Sequence, residues 1–286
     1  MVAIMTRRGE RNALGSVKEL IESKLPAAAA GFRTWRAESR LRQRDSRMTS
    51  LGFHLVGDPS MQDGTFEPEE TALLQRLLRD ADLFVDVGAN VGFYSCLARS
   101  MGVATIAVEP ITANLRVLFR NLQENGWSDT EVWPVGLSDA TGIADIYGGG
   151  TAASLVAGWA GNREANRQTI PLTTLDRLLD GRLDGKRLVI KVDVEGAEFQ
   201  LLSGATETLQ RIPQPTWLME IILKQHRPAV NERFMETFEL FWSNGYRCST
   251  ADAAKTPVSR DDVSAWVARN EELSVYNWLF EPESHR

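Results

Sequence analysis

The stretch LFVDVGANVGFYSCLARS, Leu83 to Ser100, decides how this chain is read. An apolar run of Leu83, Phe84, Val85 and Val87 breaks at Gly88 and Gly92, then resumes at helical spacing with Phe93 and Leu97. That is the pattern of a buried strand, a tight turn and a helix, the opening unit of an α/β nucleotide fold. Glycine at 88 lets the backbone turn sharply and lie close to a ligand, and the first turn of the following helix leaves N–H groups free for an anion. Further on, ATIAVEP (Ala104 to Pro110) is a second apolar strand ending in Glu109, where such folds place the acid that holds ribose hydroxyls. Two parts of a ribose-containing cofactor site are therefore visible.

What is missing decides between cofactors. Laid on GxGxxG, the loop offers Gly88, Asn90 and Phe93, so a side chain replaces the second glycine, which would let backbone approach a pyrophosphate. This disfavours NAD or FAD and, with them, a nicotinamide oxidoreductase. A ligand with a carboxylate and an amine in place of the pyrophosphate fits, and S-adenosylmethionine is the common one that also has a ribose.

On DVGANVGFYS, AVEP and the later IKVDVEGAE, the chain resembles the FkbM-type S-adenosylmethionine-dependent methyltransferases over residues 65 to 282. The resemblance implies a Rossmann-like, seven-stranded class I methyltransferase sheet with helices on both faces. It also implies an O-methyltransferase acting on a hydroxyl of a secondary metabolite, polyketide or macrolide-like, or of a saccharide, with S-adenosylhomocysteine as product. Its cofactor-binding residues map onto Asp86, Gly88, Ala89, Asn90 and Gly92 of the first motif, Glu109 and Pro110 of the second, and Asn114, Ser138 and Asp139 beyond them. The alternative is a cofactor-binding scaffold or regulatory protein that keeps the fold without turnover.

Bulk numbers bound the rest. With 286 residues, 43% hydrophobic and 24% charged, the chain can bury a full core and suits one large α/β domain with an appendage. A net charge of -6 and a pI near 5.3 argue against wholesale binding of nucleic-acid backbone. Nucleic-acid methylation is further weakened by DVEG after the fourth strand, where an aromatic-rich tetrad would stand. Cys96 and Cys248 form neither a disulfide framework nor a CxxC pair and read as thiols in a reducing compartment. Neither a signal peptide nor a window of ~18 uncharged apolar residues is found, so the expected location is cytoplasmic.

Along the chain, residues 1–60 read as a helical extension and 61–286 as the methyltransferase domain. NALGSVKELIESKL (residues 12–25) is an amphipathic helix ended by Pro26, and Arg33, Arg36, Arg40, Arg42, Arg44 and Arg47 form a basic cluster suited to a solvated helix face or dimer contact, or to an acidic partner such as an anionic membrane surface, touched peripherally, or a phosphorylated acceptor. The stretch from Asp63 to Asp80 is a helix with Pro68 and acids in its first turn. A helix with Leu115, Leu118 and Leu122 inward follows Glu109, then TEVWPVGLSD as a third strand ending in Ser138 and Asp139, beside the adenine in this architecture. GIADIYG and QTIPLTTLD flank a segment, Gly148 to Arg167, of the kind that covers a site. PTWLMEIIL is a fifth strand, VNERFMETFELFWSNG a helix, YRCSTAD a strand and SVYNWLFEPE a last strand inserted antiparallel.

Alternation in the second anchor, IKVDVEGAE, sends Ile190, Val192 and Val194 to one side and Lys191, Asp193 and Glu195 to the other. Three charges on one face of a central strand cannot lie under a helix without large desolvation costs, which puts them at the strand's carboxyl end, in the ligand crevice. Methyl transfer to an alcohol needs a base for the hydroxyl proton. Asp193 is the first candidate, with Glu220 and His226 behind it and Lys191 as the charge partner of Asp193. A divalent cation between Asp193 and Glu220 is conceivable because hard cations want oxygen ligands, but it is not favoured. His54, His226 and His285 are scattered, and no metal-spaced Cys/His cluster exists.

Overall fold

Leu83, Val85 and Val87 enter one hydrophobic core and Phe84 enters another, so the strand they form is buried on both faces, as the middle of a parallel sheet requires. The computed structural model describes residues 45–147, 167–182, 184–224 and 230–283. Their elements begin with β1 (Arg47–Met48), β2 (His54–Leu55), α1 (Pro59–Asp63) and α2 (Pro68–Leu78). The nucleotide-type unit follows as β3 (Leu83–Val87), α3 (Phe93–Ser100), β4 (Ala104–Val108), α4 (Thr112–Glu124) and β5 (Glu131–Trp133). Next come β6 (Gly136–Leu137), β7 (Gly142–Tyr147), β8 (Arg167–Thr173) and α5 (Leu175–Leu179). The chain continues through β9 (Leu188–Val192), α6 (Glu198–Ser203), α7 (Thr206–Gln210), β10 (Thr216–Glu220) and α8 (Phe234–Trp242). It closes with β11 (Tyr246–Thr250), β12 (Pro257–Val258), α9 (Arg260–Arg269) and β13 (Asn277–Pro282).

The main sheet has the order β12-β11-β13-β10-β9-β3-β4-β5. From β10 to β5 the neighbours run parallel, and β13 lies antiparallel between β10 and β11. The chain winds outward from β3 through β4 to β5 and then returns to β9 on the other side of β3. The strand order therefore reverses at β3, the point where open α/β sheets form their ligand crevice. Seven strands were expected. The eighth is the two-residue β12, which comes back beside β11 after a turn closed by Thr250 N–H donating to the Thr256 carbonyl.

One face of the sheet carries the core built on Leu83, Val85, Ile190, Trp217, Phe238 and Phe280. The other carries Phe84, Val189 and Leu218 under α2, α3 and α4. Phe53, Leu55 and Val56 belong to this second core, and Asn121 on α4 accepts from Val56 N–H and donates to its carbonyl. The packed unit thus takes in residues ahead of the 60/61 boundary expected from the sequence.

TEVWPVGLSD is not one strand. Pairing with β4 stops at Trp133, and Gly136–Leu137 instead joins β8 in a separate three-stranded sheet, β6-β8-β7. Proline at 134 has no N–H to continue the ladder, and its position coincides with the departure. Through Ile146 and Ile170 this small sheet packs on Ile111, just ahead of α4. The helix and basic cluster expected in the first 44 residues, and the segment 148–166, lie outside the described residues; Arg47 and Arg167 open β1 and β8. No helix among the described residues is long and apolar enough to cross a membrane.

Candidate active site

Beyond the carboxyl ends of β3, β4 and β9 lies a cleft of two chambers, which share Gly88, Asn90, Asp193 and Glu195 as lining. The first is walled by Val108, Ile111, Val135, Leu137, Ile146 and Ile170, and among its polar groups are Glu109 and Asn114. The second holds about 310 Å³ of open space, with Phe66, Phe93 and Tyr94 in its wall alongside Glu67, Lys191 and Glu220.

Glu109, at the end of β4, is buried and clasps the loop that follows β3. Its Oε2 accepts from the Asn90 backbone N–H at 2.8 Å, and its Oε1 accepts from Ile111 N–H at 2.7 Å and Asn114 Nδ2 at 3.3 Å. Burial pushes this carboxyl up to about 7, with the three donors pulling the other way.

The glycines have internal reasons to be glycine. Gly88 has φ +80°, and a Cβ there would lie 1.8 Å from the Asp193 carbonyl oxygen. Asp193 N–H donates to the Val87 carbonyl at 3.0 Å, so the first motif docks backbone to backbone on DVEG. Gly92 has φ +85°, and its Cβ would lie 2.2 Å from Leu118 Cδ1 of α4. Close approach at Gly88 is thus made by the protein itself as well as by the cavity.

In the second chamber the register of β3 and β9 pairs Asp86 with Lys191 on the face covered by α2 and α3. Lys191 is therefore buried rather than held out in the crevice, and α2 supplies the missing compensation. Lys191 Nζ lies 3.4 Å from Glu70 Oε1, 3.2 Å from Asp193 Oδ2 and 4.8 Å from the centre of the Tyr94 ring. Burial pulls the ammonium down, but the charges of Asp193, Glu70, Glu67 and Asp86 outweigh it and hold Lys191 well above its ordinary value. Burial raises Glu70 to about 7 against the pull of Lys191. Tyr94 O–H donates to Glu67 Oε2 at 2.7 Å. Glu220 is raised well above the usual carboxylate range by burial and by the neighbouring charges of Asp193 and Glu195. Its carboxylate has no hydrogen-bond partner among the described residues. Glu67, Asn90 and Glu195 all line this chamber and have φ of +40°, +51° and +54°, a backbone region that side chains adopt at a cost and that clusters at functional sites.

The structure brings Gly88, Ala89, Asn90, Glu109, Pro110, Asn114, Lys191, Asp193 and Glu220 of the sequence-derived set to the walls of the two chambers. Asp86 and Gly92 lie beneath the loop, where Ser95 Oγ donates to Asp86 Oδ2 at 2.6 Å and burial raises the Asp86 carboxyl. Ser138 and Asp139 line neither chamber. With β6 drawn into the small sheet, Ser138 N–H donates to the Thr173 carbonyl and its Oγ to Asp139, and its own carbonyl packs against Gly204. His226 lies outside the described residues. Among the described residues no group of three or more His, Cys, Asp and Glu side chains is arranged for a metal ion, and the neighbour of Asp193 is the Lys191 ammonium. Glu67, Glu70 and Tyr94 were missed. Their signal was present in FEPEE and GFYS, as acids and a phenol beside motifs already recognised.

The family model for the methyltransferase FkbM domain matches residues 86–248, more than half of the chain. Hexuronic acid methyltransferase AglP of Haloferax volcanii is 30% identical over 151 residues, 50% of this chain and 59% of that protein, so the chain spans about three-fifths of that relative's length. Among solved structures, an O-methyltransferase from Bacillus cereus in complex with SAH superposes with a TM-score of 0.41 at 7% identity, covering 93% of this chain and 96% of the other. A precorrin-6y C5,15-methyltransferase from Geobacter metallireducens gives 0.40 at 13% identity, covering 74% and 86%.

Proposed function

The chain belongs to the FkbM methyltransferase family, and on that footing we propose that it is an S-adenosylmethionine-dependent O-methyltransferase whose acceptor is a saccharide hydroxyl. Glu109 is the observation that carries the reading. It is a buried acid at the end of the second strand of the unit, on the wall of an apolar chamber and joined to the loop after the first strand. The residues present fit the donor. Apolar walls of the first chamber suit an adenine, Glu109 suits a ribose diol, and the acids of the second chamber suit an ammonium and a sulfonium. When bound, S-adenosylmethionine supplies a methyl group made electrophilic by its sulfonium.

The chain's own task is then to position the acceptor and to take its proton. Asp193 stands in the wall where the two chambers meet, with its carboxylate against Lys191 of the second. We assign it the base: Oδ2 is held by Lys191 Nζ, and Oδ1 takes the proton of the acceptor hydroxyl. Glu220 faces the same chamber as a second carboxylate. The saccharide reading rests on Phe66, Phe93 and Tyr94 standing among carboxylates, since aromatic rings pack on sugar C–H faces while carboxylates accept from hydroxyls. AglP, named for a hexuronic acid, points to the same broad class.

The test is calorimetric titration of the full chain with S-adenosylhomocysteine, paired with turnover measured as its release. Expected are saturable one-to-one binding and a loss of about a hundredfold or more in kcat for Asp193→Asn. Failure of the folded protein to bind S-adenosylhomocysteine overturns the proposal.

A further inference from the structure

The Asp193 carboxylate is steered from a distance. Its side chain is 29% exposed, and among the described residues its ion pair is the one with Lys191, whose Nζ donates to Oδ2 at 3.2 Å. A lysine ammonium rides on a flexible stem, so a hydrogen bond to it fixes a carboxylate only if the ammonium is itself held. Two other elements hold it. Glu70 Oε1 of α2 lies 3.4 Å from Nζ, and the centre of the Tyr94 ring of α3 lies 4.8 Å away. Of these, Glu70 supplies the opposite charge.

Glu70 has no place in the cleft itself. It lines neither chamber, and its side chain is 6% exposed. The helix does not need it there, because Glu69, exposed in the same first turn, already faces the positive end of the α2 dipole. Stability is a weak reason as well. A buried lysine and carboxylate add little over apolar side chains of the same size, since desolvation cancels most of their attraction. What the pair does supply is a cation at one defined point, against the carboxylate assigned as the base.

We infer that Glu70 is a positioning residue, which holds the Lys191 ammonium at α2 and so fixes the Asp193 carboxylate with Oδ2 engaged and Oδ1 presented to the acceptor hydroxyl. The inference rests on the methyltransferase reading above and on Asp193 as its base. Without the charge at 70, Lys191 keeps one carboxylate and can swing with it, so proton removal suffers while donor binding in the first chamber does not. Burial raises Glu70 to about 7 against the pull of Lys191, with Glu67 of α2 and Asp193 pushing it further. Asp86 of β3, Tyr94 of α3 and Glu220 of β10 are the other titratable groups around this pair. Glu70 therefore carries its charge above pH 7 and gives it up below.

The experiment uses the full chain at saturating S-adenosylmethionine, with the methyl glycosides of glucose, galactose and mannose as acceptor probes and release of S-adenosylhomocysteine as the readout. Wild type is compared with Glu70→Gln, which keeps an oxygen for Lys191 and removes the charge. At pH 8.5 the variant is expected to lose about tenfold or more in kcat, with KM for the probe and Kd for S-adenosylhomocysteine within threefold of wild type. By pH 6 the two kcat values should come within threefold as wild-type Glu70 takes up its proton; the rest of the cleft is common to both proteins and drops out of the ratio. Glu70→Asp keeps the charge on a shorter stem, should fall between the two at pH 8.5, and carries the comparison with wild type if the glutamine variant does not fold. A residue with a structural role alone would lower Tm and leave kcat of the folded protein unchanged. Equal kcat at pH 8.5, a ratio that does not move with pH, or a rise in KM in place of the loss in kcat overturns the inference. If S-adenosylhomocysteine does not bind, the methyltransferase reading falls. If it binds and no probe is turned over, the saccharide reading falls and this inference with it; if probes are turned over with a kcat indifferent to residue 70, only the role of Glu70 does.

Discussion

Replacing Glu109 by glutamine separates cofactor binding from folding at this site, and the structure sets both magnitudes. Alanine would be a poor choice, because Asn90 N–H and Ile111 N–H would each lose a buried acceptor, at roughly 1–3 kcal/mol apiece. Glutamine keeps one oxygen for Ile111 N–H and Asn114 but turns an amide N–H₂ toward Asn90 N–H, donor against donor. Against that loss stands a gain. The carboxyl is raised from 4.5 to about 7 by burial, so holding it ionised at pH 8 costs roughly 3 kcal/mol, which the neutral amide avoids. The two effects are of similar size, and the variant should melt within a few degrees of the wild type at pH 8. Cofactor affinity has no such compensation. A hydrogen bond from a ribose hydroxyl to a charged acceptor contributes about 1.5–3 kcal/mol, so the Kd for S-adenosylhomocysteine should rise at least tenfold. Titration calorimetry at pH 8, with thermal unfolding beside it, reads both quantities. The same carboxyl also predicts that wild-type affinity falls by about tenfold from pH 8 to pH 6, as Glu109 takes up its proton, while the variant stays flat. A folded Glu109→Gln protein that binds S-adenosylhomocysteine within threefold of the wild type at pH 8 would refute the ribose assignment.

Two further outcomes follow from the charges around the cleft. Glu109 has a folded-state value above its unfolded one, so the folded protein binds the extra proton, and the stability this confers is full below pH 4.5 and lost as pH rises through about 7. Wild type should therefore lose more stability than Glu109→Gln between pH 5 and pH 8, by up to roughly 3 kcal/mol, in melting curves taken across that window; parallel curves for the two proteins would contradict the buried carboxyl. Lys191→Met leaves Glu70 and Asp193 without the cation between them, a loss of about 3–5 kcal/mol that should lower Tm by roughly ten degrees. Adding Glu70→Gln to that variant should recover part of it, and an unchanged Tm in the single variant would show that the lysine compensates nothing.

The sheet was legible because its signals are local. Apolar runs, glycines and helical periodicity lie within a few residues of one another, and even the antiparallel last strand follows from the order of elements. The helix α9 shows how a local signal is overlooked. Ser259 accepts from Asp262 N–H while the Asp262 carboxylate accepts from Ser259 N–H, a capping box readable from SRDD, yet the weakly apolar stretch after it offered no periodicity to anchor the assignment. The candidate site was legible only in halves. Alternation correctly sets Lys191 and Asp193 on one side of β9, but its conclusion that such charges avoid a covering helix fails at Lys191. Burying that ammonium is costly, and the cost is offset by Glu70, which lies far away in sequence and reaches the lysine only because α2 covers this face of β3 and β9.

The glycine at 88 carries the same lesson further. Its positive φ and the need for a bare Cα follow from the sequence, but which neighbour demands that bareness does not, and in the fold the neighbour is the Asp193 carbonyl. DVGAN and DVEG, two motifs about a hundred residues apart that read as separate cofactor and catalytic signatures, are therefore one backbone contact. A side chain at 88 would push Asp193 away from the cleft it shares with Asn90 and Glu195. With the roles proposed above, donor grip and base position are coupled through a single interatomic approach, so a change made at the first motif is expected to reach the chemistry at the second.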